Sequence, residues 1–238
     1  MSLAVYIKDQ PKSAPHKTKI KDRYFYILIS LVGLTSVIFA LWPYFLWQVT
    51  VAQRLNAKIE NYPVPQTQVL SAKAIQVSNV QVVKNPDGFS YFTTAYKPQG
   101  KRPPDFRITI PKLKIENALV KVDNLTFKNN LSHFPGSALP GEIGNAFITG
   151  HSVLPQFNNP ADYSAIFTKL DTLEVGDEVY VDIEGQQLKY IVQYSKVVNP
   201  HDISVISPLS SQGKNLTLMT CVPPGTSTKR LVVITSLI

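Results

Sequence analysis

A single cysteine, Cys221, stands in the 238 residues of this chain, so no internal disulfide can staple it. Its folded part must rely on a hydrophobic core, and 44% hydrophobic content with only 11 Gly supplies one while excluding a disordered or fibrous class. There is no glycine-rich phosphate loop and no Cys/His spacing suited to zinc, so the sequence points to no cofactor and no metal. Acidic residues are scarce, 16 against 24 Lys and Arg, which suggests a nucleic-acid partner until the charge is divided along the chain. Residues 1–23 carry +4 and residues 54–102 carry +5, leaving 11 basic and 12 acidic side chains in residues 103–238. The basic excess therefore belongs to a tail and a stalk. The folded part has no basic stripe interleaved with aromatics, and no nucleic-acid role is expected.

Charge is missing altogether between Arg23 and Arg54. The stretch Phe25 to Trp47, FYILISLVGLTSVIFALWPYFLW, exceeds the ~20 residues that a helix needs to cross a hydrocarbon core. Tyr24, Tyr26, Trp42, Tyr44 and Trp47 lie near its two ends, where amphipathic rings prefer the interface. A cleaved signal peptide is the alternative, with Ala52 closing a small-residue site, but such peptides have apolar cores of only about 7–15 residues. The expected organisation is a basic cytoplasmic tail (1–23), a single membrane span (24–53), an extracellular stalk and linker (54–102) and an exported domain (103–238), oriented by the positive-inside rule.

Within the stalk, VAQRLNAKIENY (51–62) has a helix-forming composition that ends before Pro63. Pro86-Asp87-Gly88 reads as a turn and Phe89 to Tyr96 as a short strand. From Asp105 the period is two. Phe106, Ile108 and Ile110 share one face; so do Val179, Val181 and Ile183, and again Leu188, Tyr190, Val192 and Tyr194, the last two runs joined by a turn at residues 184–187. Further strands are expected over 146–149, 216–221 and 231–235, with a short helix over 161–170. The domain reads as all-β, closed or nearly closed. Asp177, Glu178, Asp182 and Glu184 alternate with apolar residues as a solvated strand face does, the alternative being a calcium site.

The chemistry concentrates in LTLMTCVPPGTSTKRLVVIT, residues 216–235. A strand runs to Cys221, Pro223 and Pro224 stop it, Gly225 permits a turn, and Arg230 opens the next strand. If the two strands pair antiparallel, Cys221 and Arg230 are neighbours at one sheet edge, where a guanidinium favours the thiolate and can donate to a carbonyl oxygen under attack. His151 follows another apolar strand and Gly150, and imidazole suits proton transfer near neutrality. Each residue also has a plainer reading: a lone cysteine is more often a small buried hydrophobe, a histidine after glycine a loop residue, an arginine at a strand start a solvated charge. Thr220 and His201 are candidate substrate contacts. His133 is expected to support the loop before Pro135.

The surrounding residues decide between these readings. Thr217-Leu218-Met219-Thr220-Cys221 resembles the TLxTC signature of the sortases, and Arg230 falls where their essential arginine does. HFPGSALPGEIGNAFITGHS (133–152) resembles the stretch that leads to their histidine, with LEVGD (173–177) and VVNPHD (197–202) in order between. The likeness covers residues 105–238 and is nearest to classes C, D and E, although Asn85 to Phe89 fits the Asp-Pro-aromatic lid motif of class C poorly. It implies an eight-stranded sortase-type β-barrel with short helices, and a membrane-anchored cysteine transpeptidase acting on proteins with an LPXTG-like sorting signal. In that role Cys221 would attack the Thr–Gly carbonyl to form a thioester, His151 would move the protons, and Arg230 would orient the substrate. The acceptor would be an amine of a peptidoglycan precursor or a pilin-type lysine. A thiol hydrolase, and a catalytically silent binding module on the same barrel, are the competing functions.

Overall fold

The computed structural model describes residues 20–53, 80–84, 90–95, 97, 100–126 and 128–238. Residues 1–19 of the expected tail, most of the helix over 51–62 and the Pro86-Asp87-Gly88 turn lie outside them. The chain divides into two compact units, Met1–Phe45 and Leu46–Ile238. The first is built around α1, Ile20–Leu46, and Tyr24–Val51 forms one helical stretch of 28 residues, long and apolar enough to cross a membrane. Past Leu46 the helix widens to a π-helical turn over Trp47–Ala52.

The second unit holds a hairpin, β1 (Val80–Lys84) and β2 (Ser90–Thr94), inside the segment read from sequence as stalk. Eight strands follow: β3 (Asp105–Ile110), β4 (Ile115–Lys121), β5 (Leu131–His133), β6 (Gly144–Thr149), β7 (Glu178–Ile183), β8 (Gln186–Val198), β9 (Lys214–Val222) and β10 (Lys229–Leu237). They close a barrel in the order β10-β8-β7-β3-β4-β5-β6-β9, so the expected eight-stranded barrel is the fold. Neighbours are antiparallel except β4–β5 and β6–β9, which are parallel.

Two kinds of strand explain two kinds of sequence. In β3 and β7 every second residue is buried, and Phe106, Ile108, Ile110, Val179, Val181 and Ile183 fill the barrel as their alternation requires. In β6, β9 and β10 burial is nearly continuous, because a second apolar cluster covers their outer face. Phe147, Met219, Val232 and Ile234 point into it, and Phe92 of β2, Phe134, Val205 and Ile206 close it from outside. Strands covered on both sides lose their polar alternation, hence the runs AFIT, LTLMT and LVVIT.

Three local expectations need correction. Tyr194 does not share the inward face of Tyr190 and Val192. A register shift where Ile234 and Thr235 pair with Tyr194 and Val192 turns it toward the second cluster. The turn between β7 and β8 is tighter than 184–187: only Glu184 and Gly185 bridge Ile183 to Gln186, both at positive φ, which matches the twist of the flanking strands. Residues 161–170 form successive turns bonded three residues apart instead of an α-helix, as Ala165 to Asp162 and Thr168 to Ala165. Asp162 takes both the amide and the hydroxyl of Ser164, and the tighter winding lets Ala165, Ile166, Phe167 and Thr168 all be buried.

Candidate active site

Cys221 and Arg230 are direct cross-strand partners in the β9–β10 pairing. The connection between them starts at Pro223-Pro224 and turns at Gly225, whose φ is +80°. Arg230 is buried, and its Nη1 donates to the carbonyls of Ser227, at 2.9 Å, and Lys229, at 3.0 Å. The guanidinium is thereby held by the loop it closes. Cys221 is half-buried; burial pushes its thiol pKa up, and the nearby Arg230 charge pulls it back down.

His151 reaches the same place from β6, the parallel neighbour of β9 on the side away from β10. Gly150 donates its amide to Met219 O, and Thr220 Oγ1 donates to Gly150 O at 2.9 Å. On the other side Phe167 N donates to His151 O at 3.0 Å. The imidazole lies at the surface end of the strand, and partial desolvation there lowers its pKa below the usual value. Thiol and imidazole shifted in these directions are both mainly neutral near pH 7, and the charged pair is the minor form.

All three residues line one open cleft of about 820 Å³. Thr220 also lines it, although its buried hydroxyl is committed to Gly150 O. His201 is exposed in the loop ahead of Ile203–Ile206 and does not line the cleft, so the structure does not bring it to the others. The rest of the wall is largely apolar, with Phe92, Leu125, Phe134, Leu154 and Phe157 prominent, the last of these 65% exposed. A reactive sulfur, a proton carrier and a fixed cation at the end of an apolar groove can perform acyl transfer on an extended peptide. The contribution of Phe92 and Thr93 was not foreseen, because β2 lies far upstream and carries no motif. Ser152 also lines the cleft, and its hydroxyl donates to Cys221 O at 2.7 Å.

His133 is fully buried, with Nε2 2.9 Å from Ala138 O and 3.0 Å from Ser137 Oγ, and burial pushes its pKa down to about 4. It braces the loop that carries Phe134 to the cleft. The acidic residues of β7 and of the turn before it are engaged separately. Lys112 bridges Glu174 and Asp177, Lys189 pairs with Glu178, and Asp182 accepts from Gln187. Among the described residues no three His, Cys, Asp or Glu side chains converge as a metal site.

The sortase domain family matches residues 108–238, which is more than half of the chain. Sortase D of Bacillus subtilis (strain 168) is 25% identical over 130 residues, which cover 53% of this chain and 60% of that protein. Sortase A from Corynebacterium diphtheriae is 30% identical, with 59% of this chain and 63% of that structure covered and a TM-score of 0.49. Its lid mutant is 24% identical over 79% of this chain and 90% of that one, with a TM-score of 0.50. The chain thus spans somewhat under two thirds of the first two of these relatives, and the match holds all eight barrel strands but the opening residues of β3. Barrel, signature residues and family match coincide on the same stretch, and the chain belongs to the sortase family.

Proposed function

We propose that this protein is a membrane-anchored cysteine transpeptidase whose α1 holds residues 54–238 outside the cell, with the basic N-terminal tail in the cytoplasm. One observation carries the reading: Cys221 and Arg230 pair across β9 and β10 while His151 leaves the adjacent strand β6, and all three open into one apolar cleft. The thiolate of Cys221 attacks the Thr–Gly carbonyl carbon of an LPXTG-like sorting signal. The C–N bond breaks, the imidazolium of His151 gives its proton to the departing glycine amine, and a thioester remains. An acceptor amine, from a peptidoglycan precursor or a pilin-type lysine, then attacks the thioester. His151 takes the proton lost from that nitrogen, and sulfur departs as thiolate. Arg230, held by Ser227 and Lys229, orients the substrate and stabilises the oxyanion in both steps. Thr220 contributes by holding Gly150, and through it His151, against β9.

The test is to incubate the full chain with LPXTG-like peptides, with and without an oligoglycine or lysine-type amine. Product that contains the amine supports transfer. Cleavage indifferent to amine makes the protein a hydrolase, and no Cys221-dependent cleavage of any peptide would mean a silent barrel.

A further inference from the structure

The last backbone pair between β6 and β9 is Thr149 with Met219, and one more ladder bond, Gly150 N to Met219 O, follows it. In a parallel ladder the next donor on that side is the amide two residues on, residue 152, and the next acceptor is the carbonyl of Cys221. The acceptor is satisfied, but by the Ser152 hydroxyl, 2.7 Å away. The chain has left the strand at His151, whose carbonyl turns to Phe167 N, and a side-chain donor takes the place of the main-chain one. The half-buried position of Ser152 removes it from full competition with water.

We infer that Ser152 is a positioning residue: its hydroxyl keeps the Cys221 end of β9 in register with the departing β6 strand, so that His151 can leave the sheet without losing its place in the cleft that Cys221 also lines. Thr220 makes the reciprocal link from β9 to Gly150 O. The two hydroxyls thus bracket His151, one bonding to the residue before it and the other belonging to the residue after it. A loop histidine without the second link would sample several positions, and misplacement by about 1 Å can cost about a hundredfold in rate. The inference rests on the catalytic pairing proposed above for Cys221 and His151.

The experiment is a comparison of the full chain with Ser152→Ala and Ser152→Thr. With an LPXTG-like peptide, Ser152→Ala should lower kcat by about tenfold or more and leave KM within about twofold, while Ser152→Thr recovers most of kcat. A second measurement needs no peptide. The rate at which iodoacetamide alkylates Cys221 is measured in wild type, His151→Ala, Ser152→Ala and the double variant. Positioning makes the two substitutions strongly non-additive, because His151 has little left to lose once the tether is gone. Additive alkylation effects, an unchanged kcat in Ser152→Ala, or failure of Thr to recover activity each overturn the inference. If wild type cleaves no peptide yet the alkylation cycle is non-additive, the sorting-signal reading fails and the positioning role of Ser152 stands.

Discussion

Gly150 is the residue on which the placement of His151 most visibly turns, and Gly150→Ala tests it with one methyl group. Its backbone conformation is open to any L-residue, so only space forbids a side chain. A Cβ built there would lie 2.6 Å from Leu131 Cδ2 and 2.6 Å from Phe167 Cδ2. Both neighbours are fully buried and cannot swing into solvent. Overpacking of this kind costs typically about 1–3 kcal/mol. At ~2–4 °C per kcal/mol for a unit of this size, a 2 kcal/mol loss, roughly the middle of that range, lowers Tm by about 4–8 °C. The strain is relieved partly by lifting residue 150 away from Met219 O and Thr220 Oγ1, which drags His151 with it and should cut kcat by up to about a hundredfold. The assay is thermal unfolding of the full chain in detergent beside peptide turnover. Gly150→Ala/Leu131→Ala, which opens room for the methyl, should be less destabilised than the sum of the single changes. An alanine variant with wild-type Tm and turnover would refute the close packing behind His151.

Cys221→Ala should abolish turnover with Tm nearly unchanged, and Arg230→Lys should also cripple it, because Lys keeps the charge but loses the planar fork held by Ser227 and Lys229; residual cysteine-free activity would sink the mechanism. Arg230→Gln removes the charge that pulls the Cys221 thiol pKa down, so the alkaline limb of its alkylation rate should move to higher pH; a limb that stays or moves down contradicts the pairing. His133, buried neutral with a folded pKa of about 4 against 6.5 unfolded, contributes stability that is complete above pH 6.5 and lost as pH falls through that window to 4, by up to about 3 kcal/mol. His133→Gln should flatten Tm between pH 7 and pH 4.5. Phe92→Ala should loosen β2 from Phe147, 6.0 Å away ring to ring, exposing the hairpin to limited proteolysis and raising KM more than it lowers kcat.

The sequence was most readable where one physical cause dominates. Alternation located β3 and β7 because each has one covered face, and the Pro-Pro-Gly turn brought Cys221 and Arg230 together because an antiparallel connection this short leaves few registers. It was least readable where tertiary contact decides. Nothing local says that β6 lies parallel beside β9, since their partnership spans the whole of β7 and β8. The apolar runs of β6, β9 and β10 signalled burial without saying what covers them, and part of that cover is the upstream hairpin with Phe92. The turns at 161–170 displaced a helix for the same reason: burial of the Phe167 ring against Gly150, its amide bond to His151 O and side-chain capping by Asp162 outweighed the local composition.

The continuous burial of β6, β9 and β10 also has a consequence in time. Strands covered on both faces open only when most of the unit does, so their amides should be among the slowest to exchange with solvent. Cys221 and Arg230 are therefore mounted on the least yielding part of the molecule, and His151 follows two residues past the end of β6. Adjustment to a ligand is left to the exposed positions around it, Gly225 and Thr228 of the turn and the loop bearing Leu154 and Phe157. Such a site changes what it admits by altering its rim and keeps its chemistry by leaving the staves alone.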